Sequence, residues 1–182
     1  MEIRPLKLSG TYEIILPPRG DERGYFMRVY DADTFRASGL VTAWVQENEA
    51  FSSRRGVIRG LHFLKPPFAE TKLVRAVQGS VFDVFVDLRR SSASYAQWDF
   101  LELASKDHNV LYLPPGFAHG YCTLSDESLV LYKVDSAYAP EAEGGLRWND
   151  PDLAIRWPVE NPLVSPKDSK WPLFRDFVTP FV

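Results

Sequence analysis

The chain has 182 residues, 45% of them hydrophobic and 14% aromatic, with 14 prolines, which fits one globular domain over 1–182 with a sizeable core and a turn-rich, mainly β fold. A formal net charge of −3 removes the broad cationic surface that nucleic acid or an anionic membrane requires, while leaving room for a local basic pocket. Cys122 is the sole cysteine, so no internal disulfide can form, and no apolar run approaches the ~20 residues of a membrane span. The N-terminus alternates polar and apolar residues and lacks a secretory apolar core, so the expectation is a cytoplasmic, soluble protein.

In chain order, "YEIILPP" reads as a strand stopped by proline, and "PPRGDERGYF" as turn material leading into another strand. Asp31 or Asp33 is placed to cap a short helix that runs to about Ser38 and ends at Gly39. Val41 to Lys133 reads mostly as strands. Within it "LVRAVQGSVFDVFVDLR" suggests a hairpin turning near Gln78-Gly79, and "NVLYLPP" and "SLVLYKVDSAY" are further strands. From Pro140 onwards the chain is rich in Pro, Asp and Trp and reads as an irregular extension with short helices. There is no repeat, low-complexity run or linker. Regular strands broken by Gly and Pro predict a sandwich or barrel.

One strand carries a choice. In "SVFDVFVDL" the period of two puts Phe82, Val84, Val86 and Leu88 on one face and Val81, Asp83, Phe85 and Asp87 on the other. Two acids among Val and Phe mean either a half-solvated strand or a barrel interior lined for a polar ligand, since unpartnered acids are costly to bury.

Two of the three histidines stand in Gly- and Pro-punctuated phrases, His62 in "RGLHF" and His119 in "PPGFAHG". The spacing of Pro114, Gly116 and His119 resembles the second motif of the cupin superfamily, whose fold is a small jelly roll. Metal-binding cupins pair two histidines one residue apart in their first motif. Here Phe63 and Leu64 follow His62, and His108 lies in the exposed-looking turn "SKDHN". A metal site needs three or four convergent ligands, so no metal is expected. What remains open from the residues alone is whether these histidines are structural or catalytic. Histidine suits proton transfer near neutral pH. Lys72 in "ETKLVRAV" can face developing negative charge, Tyr132 in "LVLYKV" can act as an acid, and a carboxylate can orient the imidazole. Such a set suits proton abstraction beside a carbonyl with return to the opposite face, which is epimerisation.

The phrases "DERGYF", "WVQEN", "GVIRGLHF", "KLVRAVQGSVFDVFVDLR", "LYLPPGFAHGYCTLSD", "YKVDSAYAPEAEGGLRWNDPDLAIRWP" and "SPKD" follow one another from about Asp21 to Asp168. In that combination the chain resembles the dTDP-4-dehydrorhamnose 3,5-epimerase family, metal-independent cupins of nucleotide-sugar metabolism. The resemblance implies a cupin-type jelly-roll barrel. It also implies an isomerase that needs no cofactor and acts on a nucleoside-diphosphate 4-keto sugar, most often as a homodimer, with N-terminal strands exchanged between subunits. By that resemblance His62 is the base, Asp168 its orienting acid, Tyr132 the proton donor on the far face, and Lys72 the cation at the enolate oxygen. Arg59 and His119 fall on positions that contact substrate. Arg23, Gln46, Asn48, Glu143 and Lys167 fall on further binding positions, and Tyr138 on the aromatic that stacks against the base.

Two departures stand out. Arg28 replaces a glutamate of the family's binding set, and Leu64 replaces an amide two positions after His62. They lead to the expectation that the base, the sugar or the number of epimerised centres differs from the standard case. The alternatives are a C3 or C5 mono-epimerase, one acting on a CDP- or GDP-linked sugar, or a 3,4-ketoisomerase.

Overall fold

The computed structural model describes residues 1–182 throughout. Strands β1 (Glu2–Pro5) and β2 (Tyr12–Ile15) form an antiparallel pair, and β3 (Arg19–Asp21) and β4 (Gly24–Phe26) make a separate two-stranded hairpin. The helix α1 spans Ala32–Ala37. Asp31 caps it, its carboxylate accepting the Thr34 N–H at 3.0 Å, and Gly39 follows with φ +70°. The remaining body strands are β5 (Gln46–Ser52), β6 (Val57–Leu64), β7 (Lys72–Gln78), β8 (Ser80–Asp87), β9 (Trp98–Ala104), β10 (Asn109–Leu113), β11 (Phe117–Thr123) and β12 (Ser128–Val134). Beyond Pro140 come two short strands, β13 (Glu143–Gly145) and β14 (Leu163–Val164), and three single-turn 3₁₀ helices at Pro140–Ala142, Asp168–Lys170 and Phe174–Asp176. The irregular extension read from the sequence is therefore present.

The strands form two facing sheets. One runs β1-β2-β10-β7-β12-β5 and the other β13-β6-β11-β8-β9, with β14 lying parallel to β6. No strand pair joins the two sheets, so the jelly roll is a sandwich and its hydrogen bonding does not close into a barrel. The expected hairpin at Gln78-Gly79 is corrected for the same reason. β7 pairs with β10 and β12, β8 pairs with β9 and β11, and the turn at Gly79 (φ +68°) carries the chain from one sheet to the other. A glycine turn between two alternating strands has the same sequence signature whether the strands pair or part.

Between the sheets Val74, Ala76, Val81, Phe85, Leu111, Val130 and their neighbours form the largest core cluster. The outer face of the second sheet is not solvated. Leu61, Phe63, Val84, Val86 and Leu88 pack there against Leu146, Leu153 and Phe181 of the C-terminal extension. On the first sheet α1 covers Ile14, Leu73 and Val110 with Phe35. β8 is thus buried on both faces, with Asp83 and Asp87 at 0% exposure, and the half-solvated alternative falls. Asp87 is a structural pin: it accepts from the Arg89 guanidinium and from the Ser92 and Ser94 hydroxyls. Asp83 has a different partner.

Candidate active site

At one end of the sandwich, between the sheets, lies a pocket of about 580 Å³. β6 contributes Arg59 and His62, β7 Lys72, β11 His119 and Tyr121, and β12 Tyr132, while the segment after β14 adds Lys167 and Asp168. Strict alternation along β6 would put Arg59 and His62, three residues apart, on opposite faces. A bulge prevents this. Arg59 stands opposite Tyr121 and His62 opposite His119, so three steps on β6 match two on β11. Gly60 supplies the room, with φ +129°, and a Cβ there would lie 2.6 Å from Gly120 Cα. The strand residues of "RGLH" are thereby turned so that a cation and an imidazole share one wall.

His62 Nε2 lies 2.6 Å from Asp168 Oδ1, and the Gly60 N–H donates to Asp168 Oδ2 at 3.3 Å. Asp168 is buried, with a side chain 6% exposed, whereas His62 is 36% exposed toward the pocket. Burial pushes the Asp168 carboxyl up, but the His62 hydrogen bond and charge and the Gly60 N–H outweigh it, so the group is held below the usual carboxylate range. It stays ionised and fixes the ring, leaving Nδ1 free of any protein partner.

The opposite wall is cationic and phenolic. The Lys72 ammonium sits 5.7 Å from the Tyr132 ring centroid and is ion-paired with Glu70, both side chains being nearly buried. Burial and then the Glu70 charge push the Tyr132 hydroxyl up, so the phenol keeps its proton through neutral pH. On the His62 wall, Tyr121 of β11 is pushed up to about 12, chiefly by burial, and its hydroxyl has no hydrogen-bond partner. His119 Nε2 lies 2.8 and 3.0 Å from the two carboxylate oxygens of Asp83. The site thus holds a base-type imidazole with an ionised orienter and, across from it, an ammonium and a protonated phenol. No group of three or more His, Cys, Asp or Glu side chains converges on a point that can hold a metal.

The other binding candidates divide. Lys167 is at the mouth and donates to Glu143 at 2.6 Å, and Tyr138, 60% exposed, is close enough to contribute to the upward shift of its amine. Arg59 donates to the Phe51 carbonyl at 2.8 Å. Gln46 and Asn48 lie on edge strand β5, on the same face as the pocket residue Ala50. Arg23 and Arg28 are not brought to the pocket. Arg23 is tied to Asp21 in the β3–β4 hairpin, and Arg28 donates to Asp31 at 2.9 Å beside α1. Leu64 is also outside: it is buried and stands opposite Glu143 in the β6–β13 pair. Glu70, Tyr121 and Asp83 complete the site without having been singled out as site residues. For two of them the signal was strand alternation: Tyr121 is two after His119, and Asp83 was on a face already marked as costly; Glu70 precedes β7, and its only signal was its nearness to Lys72.

A family model described as dTDP-4-dehydrorhamnose 3,5-epimerase matches residues 5–176. The chain is 42% identical to the dTDP-4-dehydrorhamnose 3,5-epimerase of Methanothermobacter thermautotrophicus over 96% of both chains. It is 41% identical to the dTDP-4-dehydrorhamnose 3-epimerase of Streptomyces niveus over 92% of this chain and 81% of that one. The crystal structure of the Bacillus anthracis 3,5-epimerase with TDP and PPi bound superposes with a TM-score of 0.93 at 40% identity, covering 95% of this chain and 99% of that one. The Legionella pneumophila epimerase in complex with dTDP-4-keto-L-rhamnose gives 0.90 at 35% identity, with 96% and 93% covered. With the phrases in order, the two-sheet fold and the matched length all agreeing, the chain belongs to the dTDP-4-dehydrorhamnose 3,5-epimerase family of carbohydrate isomerases.

Proposed function

We propose that the chain inverts C3 and C5 of a dTDP-linked 4-keto-6-deoxy sugar, with the whole of 1–182 acting as one catalytic domain. The observation that carries this reading is the His62–Asp168 pair at 2.6 Å facing Lys72 and Tyr132 across one pocket. The C4 ketone acidifies the neighbouring C–H bonds. His62 takes the proton at Nδ1, the electron pair moves to the C4 oxygen, and the Lys72 ammonium, shared with Glu70, lies close to that charge. Tyr132 returns a proton to the opposite face, and solvent then reprotonates the phenolate and discharges the imidazolium. Carbon loses and gains one proton at each centre, so no redox cofactor is called for. Arg59, His119 and Lys167 suit a diphosphate, and Tyr138 a base. Gln46, Asn48 and Glu143 suit the sugar and nucleotide edges.

Arg23 and Arg28 join this set only in a homodimer. The β3–β4 hairpin exposes Tyr25 and Phe26, and Val29, Val45 and Phe51 are also uncovered, at 40–70% exposure. Apolar exposure of this kind favours a second copy as its cover. A cytoplasmic setting suits the single, buried Cys122; no helix is long and apolar enough to cross a membrane.

One alternative has a specific observation behind it: the 3-epimerase of Streptomyces niveus is as similar as the 3,5-epimerases. The test is NMR of proton exchange in deuterated water with dTDP-, UDP-, CDP- and GDP-4-keto-6-deoxyglucose. Exchange at both C3 and C5 of the dTDP sugar is expected. Exchange at one centre only makes the chain a mono-epimerase, and preference for another base overturns the nucleotide assignment and gives Arg28 its role.

A further inference from the structure

The pocket holds two imidazole–carboxylate pairs side by side on one wall, His62 and His119 being cross-strand neighbours on β6 and β11. Their carboxylates are satisfied differently. Asp168 accepts from a backbone N–H as well as from His62. Asp83 is 0% exposed and accepts from His119 Nε2 alone, through both oxygens. A carboxylate sealed in that way is costly to keep ionised unless its single partner supplies a proton-bearing nitrogen at all times. In keeping with this, burial pushes the Asp83 carboxyl up, and the His119 and Lys72 charges only partly oppose it.

We propose that Asp83 is a positioning residue for His119: it holds the imidazole proton on Nε2, presents Nδ1 to the pocket, and lets the ring become a cationic donor when an anionic oxygen binds there. His119 lines the pocket with its side chain 12% exposed, and Nδ1 has neither a protein partner nor a sealed environment. With Nε2 protonated, an arriving phosphate or enolate oxygen finds a lone pair at Nδ1. One proton taken from solvent converts it to an N–H donor, and Asp83 offsets the resulting charge. Departure of the ligand returns the proton. The charged and titratable groups of the pocket around the ring are Asp83 on β8, His62 and Arg59 on β6, Tyr121 on β11, Lys72 on β7, Tyr132 on β12, and Lys167 and Asp168 after β14. Of the three other cations, Lys72 and Lys167 are already paired with Glu70 and Glu143, while Arg59 has only neutral oxygen partners and opposes the imidazolium. That opposition makes Asp83 necessary. The two pairs therefore divide the work: His62 is kept as a base by an ionised orienter, and His119 is kept as a donor-in-waiting by a sealed one.

This inference rests on the nucleoside-diphosphate reading for the identity of the anion, but not for the tautomer. The experiment is ¹⁵N NMR of the imidazoles in the full chain, whose three histidines make assignment direct, with inorganic pyrophosphate and thymidine diphosphate as probes. In the ligand-free protein at mildly alkaline pH, His119 is expected to carry its proton on Nε2, and to gain one on Nδ1 when either probe binds. In Asp83→Asn the side-chain amide can donate to Nε2, so the tautomer inverts, and probe affinity falls roughly ten- to a hundredfold, as for loss of a charge-assisted hydrogen bond. An Nδ1–H tautomer in the unaltered protein overturns the proposal, as does an Asp83→Asn chain with unchanged ring signals and affinity. If the unaltered chain binds neither probe, the nucleotide-sugar reading fails, and the ligand-free tautomer still decides the role of Asp83.

Discussion

The pocket wall and the β3–β4 hairpin satisfy their polar and apolar groups in contrasting ways. In the pocket His62 and His119 are held by carboxylates from other elements, Asp168 and Asp83, and Lys72 is held by Glu70 two residues before it, in a contact that is nearly buried. These pairs are buried or half-buried, so they hold rotamers before any ligand arrives, which is what catalysis by positioned groups requires. The hairpin's two strands hydrogen-bond only to each other. Arg23 folds back on Asp21 two residues away, and Tyr25 and Phe26 are 62% and 70% exposed. Solvent screens exposed local ion pairs of that sort, so little within one chain fixes the hairpin's side chains beyond the contact of the Tyr25 ring with His108, 5.1 Å between centroids. The contrast teaches that preorganisation within one chain extends to the chemistry but not to all of the proposed binding set.

The largest effect should come from breaking the pocket side of this contrast. His62→Ala removes the base and is expected to lower C3 and C5 exchange by roughly 10²- to 10⁴-fold, while thymidine diphosphate binds as before by calorimetry, because Arg59, His119 and Lys167 are untouched. A variant that exchanges at the normal rate means another group is the base.

The hairpin side gives the intermediate effect. Phe26→Asp together with Val45→Asp places charge on two exposed apolar positions without touching the core. Sedimentation should shift from dimer to monomer, and KM for the sugar nucleotide should rise about tenfold while the thermal midpoint barely moves, since exposed substitutions usually cost within ±0.5 kcal/mol. A native chain that already sediments as a monomer removes the reason for the contrast, and then Arg23 and Arg28 have no route to a pocket.

How much of this could be read in the sequence follows from how local each determinant is. The capped helix after Asp31, the strands and the C-terminal turns rest on short-range preferences and were legible. So was the meeting of His62, Lys72, Tyr132 and Asp168 in one pocket, because motif phrases carry them. The sheet change at Gly79 was not legible, because strand pairing depends on partners tens of residues away. The placement of Arg28 and Leu64 outside the pocket was hidden for a similar reason: Leu64 follows His62 by two, in unbroken register with β13, but it lies one step farther along the strand, where it is buried and beyond the pocket lining. Asp83 was half-legible. Alternation showed that a carboxylate faced inward, and only the fold supplied His119 as the residue it faces.

The smallest expected effect concerns stability, and its sign separates Asp168 from an unstrained surface acid. A carboxyl held below its unfolded value of about 3.9 contributes stability that is complete above that value and disappears as pH falls through the lower folded value. The intact chain should therefore lose part of its unfolding free energy in that acid window. In Asp168→Asn the neutral amide cannot titrate, so the chain is less stable at pH 7, where the His62 and Gly60 hydrogen bonds to a charged acceptor are weakened, and its denaturation midpoint changes less between about pH 5 and pH 2. The Glu2 carboxyl, also held low but by an exposed Arg4 pair, is the control: Glu2→Gln should leave the profile nearly unchanged, because solvent screens that pair. Parallel acid profiles for the intact chain and Asp168→Asn mean that the buried carboxylate is not preferentially charged in the folded state, and the fixed orientation of the His62 ring then has no electrostatic basis.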